Sequence, residues 1–143
     1  METKQVIVFR KDLLKGEHGI RKGKFAGQVA HASMGALLKC FEVSETADGS
    51  VVYKTEFPKG SVLDSWLNGI FTKVVVGVDT EQELLNLAAM LEKKNSDGVF
   101  IPYALITDCG KTEFGGVPTV TCLGIGPAPS EGIDLITGEL KLL

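Results

Sequence analysis

Two short stretches of this sequence place polar side chains where they could act on a substrate. Lys24, Gln28 and His31 stand four and three residues apart, the spacing that brings side chains onto one face of a helix. With Lys22, Lys24 opens a predicted helix, where a cation opposes the helix dipole at a cost of a few tenths to about 1 kcal/mol. Anion binding would give that placement a use, because an ammonium and free backbone N–H groups together hold a phosphate or a developing oxyanion. The plain alternative is a pair of lysines extending into water. Asp108-Cys109-Gly110-Lys111-Thr112 is the second stretch. A carboxylate at a strand's end, followed by glycine and a hydroxyl, can position a water molecule; equally it can form an Asx turn.

Other chemistries fail on particular residues. Gly110-Lys111-Thr112 mimics the tail of a phosphate-binding P-loop, but Leu105 stands where the first glycine belongs and no helix is predicted to follow. His31-Ala32-Ser33-Met34-Gly35 imitates a nucleophile elbow with His31 in place of its first glycine, inside a helix, so Ser33 reads as a packed helix residue. No histidine–aspartate pair supports a serine or cysteine triad. Cys40, Cys109 and Cys122 contain no C-x-x-C pair and read as reduced thiols, and His18 and His31 lack metal-ligand spacing. No metal site is expected.

The elements that must position these residues follow from periodicity. Lys4–Arg10 reads as a strand, 11–23 as a glycine-punctuated loop, and about Lys24–Glu42 as a helix with apolar spacing through Phe25, Val29, Ala32, Ala36 and Cys40. Residues 43–60 read as a surface insertion, a hairpin turning at Asp48-Gly49 with a strand at Val51–Thr55. A short helix is expected at Ser61–Leu67, with Trp66 as a packing anchor. Lys73–Val78 is a strand, Thr80 and Glu83 form a capping box, and Leu84, Leu87, Ala88 and Leu91 line the helix it opens. Ile101–Thr107 is the next strand, which makes a βαβ crossover with two parallel strands. A last strand at Thr119–Ile125 is ended by Gly126-Pro127-Ala128-Pro129, and a short helix covers Ser130–Ile136. The fold is a small α/β layer structure in one domain. If the first strand is parallel to the crossover pair, Lys24 and Asp108 share one edge of the sheet, where open α/β sheets gather their sites.

Composition agrees: 143 residues, 44% apolar and 23% charged, suit one globular domain rather than disorder. Apolar runs such as Val74–Val76 fall far short of the ~20 residues a membrane helix needs, and Val6–Phe9 is too short for a signal-peptide core. A soluble, intracellular protein with no membrane partner is expected. The net charge is −3, yet the segment from Lys4 to Lys24 carries seven cations against Asp12 and Glu17. A mildly acidic chain with one basic segment suggests a localised anion site, with a solvated lysine-rich loop as the rival reading.

Lys22-Gly23-Lys24-Phe25-Ala26-Gly27-Gln28-Val29-Ala30-His31-Ala32 resembles the signature of type II peptidyl-tRNA hydrolases, the archaeal and eukaryotic type. Gln5–Leu13 resembles that family's first strand and loop; Trp66 with Gly69, Thr107–Glu113, Gly124–Ala128, Ile133-Asp134 and Thr137–Leu142 match it further along. The resemblance implies hydrolysis of the ester between a peptide and the 3′ ribose of tRNA, without metal or organic cofactor. It also implies a mixed, mostly parallel four-stranded sheet flanked by helices, a homodimer and a cytoplasmic setting. The implied catalytic positions are Lys24, Asp108, Thr112 and Thr121, with Gln28 and His31 in the same signature. Thr119 is the alternative to Thr121, because Gly115–Pro118 is about one residue longer than the family's turn. The chain departs from the family at Cys109, where alanine is usual, at Gly77, where a basic residue is common, and in the longer 43–60 segment.

On this reading Asp108 orients or deprotonates water, Lys24 stabilises the oxyanion, and Thr112 and Thr121 bind water or substrate. Lys24 beside Asp108 would keep the carboxylate ionised, which favours orientation over strong base catalysis. Arg10, Lys11, Lys15, Arg21 and Lys22 would grip tRNA phosphates without reading sequence. His31 is the rival base, against a structural role in its helix. The competing functions are a non-catalytic RNA- or protein-binding module and a hydrolase of some other aminoacyl or peptidyl ester.

Overall fold

The computed structural model describes residues 1–143 except His18, Thr112 and Glu113. It opens with β1 (Thr3–Arg10), whose residues Gln5–Phe9 are all buried. Along the chain follow a 3₁₀ turn at Lys11–Leu14, α1 (Lys22–Leu38), β2 (Glu42–Glu45), β3 (Val51–Lys54), α2 (Val62–Leu67), β4 (Lys73–Val78), α3 (Glu81–Ser96) and β5 (Tyr103–Asp108). A second 3₁₀ turn at Phe114–Gly116, then β6 (Thr119–Pro129) and α4 (Ser130–Thr137), complete it.

The main sheet has the order β4-β1-β6-β5. Only β1 and β4 pair in parallel, whereas β6 lies antiparallel to both β1 and β5. The sheet is mixed and flanked by helices, as expected. Three of its four strands share a direction, so "mostly parallel" holds for strand direction but not for the ladders. The crossover needs a correction too: β4 and β5 run the same way but sit on opposite edges, with β1 and β6 between them. The reason lies in burial. β1 and β6 are covered on both faces and take the centre, while β4 and β5 carry exposed residues such as Lys73 and Thr107 and tolerate an edge.

Strand alternation divides the core in two. Val6 and Val8 pack with Leu84, Leu91, Ile133 and Leu123 under α3 and α4. Ile7 and Phe9 pack with Ala32, Ala36 and Cys122 under α1. A large apolar side chain buried this fully contributes about 1.5–3 kcal/mol. The Thr80–Glu83 capping box starts α3 as expected, with Glu83 N–H on Thr80 Oγ1 at 3.2 Å. α1 meets the sheet through small residues. A Cβ at Gly124 would lie 2.1 Å from the Ala32 carbonyl oxygen, so only glycine permits this approach.

Two boundaries differ from expectation. α1 spans Lys22–Leu38 rather than ending at Glu42, because the chain turns at Cys40-Phe41 into the β2–β3 hairpin. β6 runs on through Gly126–Pro129: Gly126 N–H still reaches the Pro102 carbonyl at 2.7 Å, and Ala128 and Pro129 pair with β1 alone. A strand with one open side has room for prolines. The hairpin predicted in 43–60 is present, with Val43 opposite Tyr53, and all eight strand residues are exposed. Trp66 is a packing anchor, 1% exposed, its indole N–H on the Thr72 carbonyl at 2.8 Å. Among the described residues no helix is long and apolar enough to cross a membrane.

Candidate functional site

β1 and β5 point the same way, so the start of α1 and the end of β5 meet beyond their carboxyl ends. There the Lys24 ammonium lies 2.6 Å from Asp108 Oδ1. Gln28, one turn further along α1, donates its amide to the same oxygen at 3.3 Å. The other oxygen, Oδ2, accepts the Gly110 N–H at 2.9 Å. The Asx turn and the candidate carboxylate are therefore one structure. The turn holds Oδ2 and leaves Oδ1 facing α1. Gly110 has φ of +80°, and a Cβ there would meet the Val117 carbonyl oxygen at 2.5 Å, so the turn requires glycine.

Asp108 is buried, 7% exposed, and Lys24 retains 18% of its side-chain surface, so the pair lies just beneath the surface with the ammonium on its outer side. The Lys24 hydrogen bond holds the Asp108 carboxyl below its ordinary value; the Gly110 N–H, the Lys24 charge and the nearby His31 add to this, against desolvation. Asp108 is ionised at neutral pH. His31, three residues beyond Gln28 on α1, is exposed.

Thr121 joins this network by an irregularity. Ile106 pairs with Cys122 and Thr107 with Val120, which leaves Thr121 as the extra residue of a β-bulge. In strict alternation Thr121 would face away from Cys122, into the layer under α3. The bulge instead turns both side chains toward α1. Thr121 is fully buried and donates to Gln28 Oε1 at 2.6 Å, which fixes the amide so that its NH₂ group faces Asp108. The Cys122 thiol donates to the Gln28 carbonyl at 3.4 Å, and burial pushes its pKa up to about 11, which keeps it inert. Thr119 bonds the Val117 carbonyl instead and stays outside the network. Thr112 lies outside the described residues. Ser33, the false elbow serine, donates to Gln5 Oε1 at 2.5 Å.

The five candidate phosphate-binding cations fall into two sets. Lys15, Arg21 and Lys22 are exposed around the start of α1. Arg10 is not so placed. Its guanidinium meets both Asp12 oxygens at 3.1 and 2.7 Å and the Val120 carbonyl at 2.9 Å, so it is held within the chain. Lys11 lays its stem over Gly77 and reaches Asp79 at 3.2 Å, so its ammonium is held within the chain as well. Sequence reasoning passed over Lys111 as a cation, although it is exposed in the loop that carries Asp108. It also had no signal for the bulge, because alternation assigns Thr121 to the wrong face.

The family model described as peptidyl-tRNA hydrolase PTH2 matches residues 3–143. A peptidyl-tRNA hydrolase of Metallosphaera sedula is 40% identical over 140 residues, covering 98% of this chain and 99% of that protein. Those of Thermococcus onnurineus (40%) and Methanopyrus kandleri (39%) each cover 98% of this chain and 97% of their own length. Lys24, Gln28, Asp108 and Thr121 thus form one connected network inside the matched span, and the chain belongs to the PTH2 peptidyl-tRNA hydrolase family.

Proposed function

We propose that this chain hydrolyses the ester joining a peptide, or an N-blocked aminoacyl group, to the 3′ ribose of tRNA, in the cytoplasm, and so recycles tRNA from aborted translation. Water adds to the ester carbonyl, the ribose oxygen leaves with a proton, and a peptide acid and a free tRNA 3′ end result. Family membership supports the substrate. The observation that carries the chemistry is the 2.6 Å contact between Lys24 and an ionised Asp108, just beneath the surface where α1 begins and β5 ends. Asp108 orients the attacking water, and Lys24 meets the negative charge that develops on the carbonyl oxygen. Gln28 holds the carboxylate and Thr121 holds Gln28. Thr112 is read, from the family resemblance alone, as a further partner of water or substrate.

A lowered carboxyl pKa makes Asp108 a weak base, and this favours a second reading in which His31 takes the proton from water while Asp108 only orients it. Lys15, Arg21, Lys22 and Lys111 are read as tRNA phosphate contacts, with Arg10 and Lys11 shaping the rim behind them. The active form is read as a homodimer.

Incubation of the purified protein with N-acetylaminoacyl-tRNA is the test. Release of the N-acetyl amino acid is expected. Binding without release would instead make this a non-catalytic module, and faster cleavage of an ester lacking tRNA would point to a different substrate.

A further inference from the structure

The two edges of the main sheet are treated differently. On the β4 side the C-terminal segment closes the ladder: Leu142 bridges Val76, Gly77 N–H reaches the Lys141 carbonyl at 3.1 Å, and Leu143 N–H reaches the Val75 carbonyl at 3.1 Å. On the β5 side no described residue pairs with the strand. The parity of its bonds can be read from one contact, Gly126 N–H on the Pro102 carbonyl at 2.7 Å. In an antiparallel ladder this directs the main-chain groups of Ala104 and Ile106 toward β6 and those of Tyr103, Leu105 and Thr107 outward. The bulge at Thr121 lies on β6, so β5 keeps this alternation to its end.

That open edge ends at Asp108. Beside its first half lies a polar cleft of about 410 Å³, walled by Lys39, Glu92 and Asn95 and floored by Tyr103 and Leu105. Unpaired strand edges are a liability that proteins usually cover, and an extended peptide is the ligand they accept most readily.

We propose that the edge of β5 docks the peptide part of the substrate as an added parallel strand, its ester carbonyl delivered to Asp108. The direction is fixed by the chemistry. The peptide's carboxyl end must lie at the carboxyl end of β5, so the two run parallel. Its main-chain groups would bond the outward N–H and C=O groups of Tyr103, Leu105 and Thr107. Recognition through the main chain is indifferent to side chains, as a hydrolase of peptidyl esters of arbitrary sequence requires. The six-residue strand reads about six residues of peptide and nothing beyond.

This inference rests on the proposed hydrolase reading, and one substrate series separates the two. Peptidyl-tRNAs carrying one to eight residues on the same tRNA are compared by kcat/KM. The value is expected to rise about tenfold from one residue to about six and then level off. N-methylation of alternate peptide amides should remove most of the gain, and N-methylation of the intervening ones should leave it. In the enzyme, Leu105→Pro deletes an outward N–H without touching the β6 ladder, and should abolish the length dependence while cleavage of N-acetylaminoacyl-tRNA persists. If that variant does not fold, the methylated substrates decide alone. Cleavage at one rate for all lengths, or equal loss from either set of methyl groups, would overturn the docking strand with hydrolysis intact. No cleavage of any member would overturn the hydrolase reading itself.

Discussion

The two ends of α1 are built on opposite rules. At its start every described polar group that faces the sheet is tied to another: Lys24 and Gln28 to Asp108, Gln28 to Thr121, Asp108 to Gly110. At its far end the chain enters a hairpin whose Val43, Val51 and Tyr53 are each more than half exposed and touch no core. A two-stranded hairpin of this size adds little stability alone. The lesson is that order in this molecule is concentrated where charge must be held in place, and that the exposed hairpin is attached where it disturbs none of that.

Breaking the ordered end should have the largest effect. Lys24→Ala or Asp108→Ala is expected to lower kcat by about 10²–10³-fold, with the circular dichroism unchanged. The double variant should be little worse than either single one, because the two act as a unit. Full activity in both single variants would remove the site from Lys24 and Asp108. The same pair sets the acid limb. Since the folded carboxyl is held below the ordinary value of 3.8, its stabilising contribution is complete above that value and is lost as pH falls through the lower folded one. Activity at pH 5–8 should then show no inflection owed to Asp108, which a pH–rate profile of the wild type and His31→Asn resolves.

A smaller loss is expected one bond further out. Thr121→Val leaves Gln28 Oε1 unpaired in a buried site, so thermal unfolding should report about 1–3 kcal/mol of destabilisation. The rate should fall about tenfold, while Thr119→Ala changes neither. Weaker still are the rim cations. Lys15→Ala, Arg21→Ala and Lys22→Ala should each leave kcat alone and reduce the slope of log KM against log salt by about 0.7–0.9. Arg10→Gln should instead lower stability, because its guanidinium closes the end of β6. The smallest change belongs to the hairpin: Tyr53→Ser should leave kcat/KM within about twofold, and a larger drop would show that the far end takes part after all.

Much of this was legible in the sequence because it follows from local period. The capping box, the β4 strand and the Lys24–Gln28 face depend on residues a few positions apart, and they stand where spacing put them. The meeting of Lys24 with Asp108 was legible only through topology, and it holds although β5 lies on the opposite edge from β4. Parallel direction was enough; adjacency was not needed. Strand order escaped because it is decided by which strands are buried on both faces, a property of the whole sheet. The face that Thr121 takes escaped for a sharper reason, although the family resemblance singles the residue out. One inserted residue reverses the side on which a strand's side chains emerge, and no composition marks that position. Likewise nothing in Arg10 announced that Asp12, two residues on, would hold it within the chain.

Gly77 carries one more consequence. A Cβ there would fall 2.6 Å from Lys11 Cγ, so the lysine owes its path across β4 to the absence of a side chain beneath it. Any side chain placed at 77 would push Lys11 off this path and away from its 3.2 Å contact with Asp79, so the seating of that cation is set by a residue on the neighbouring strand.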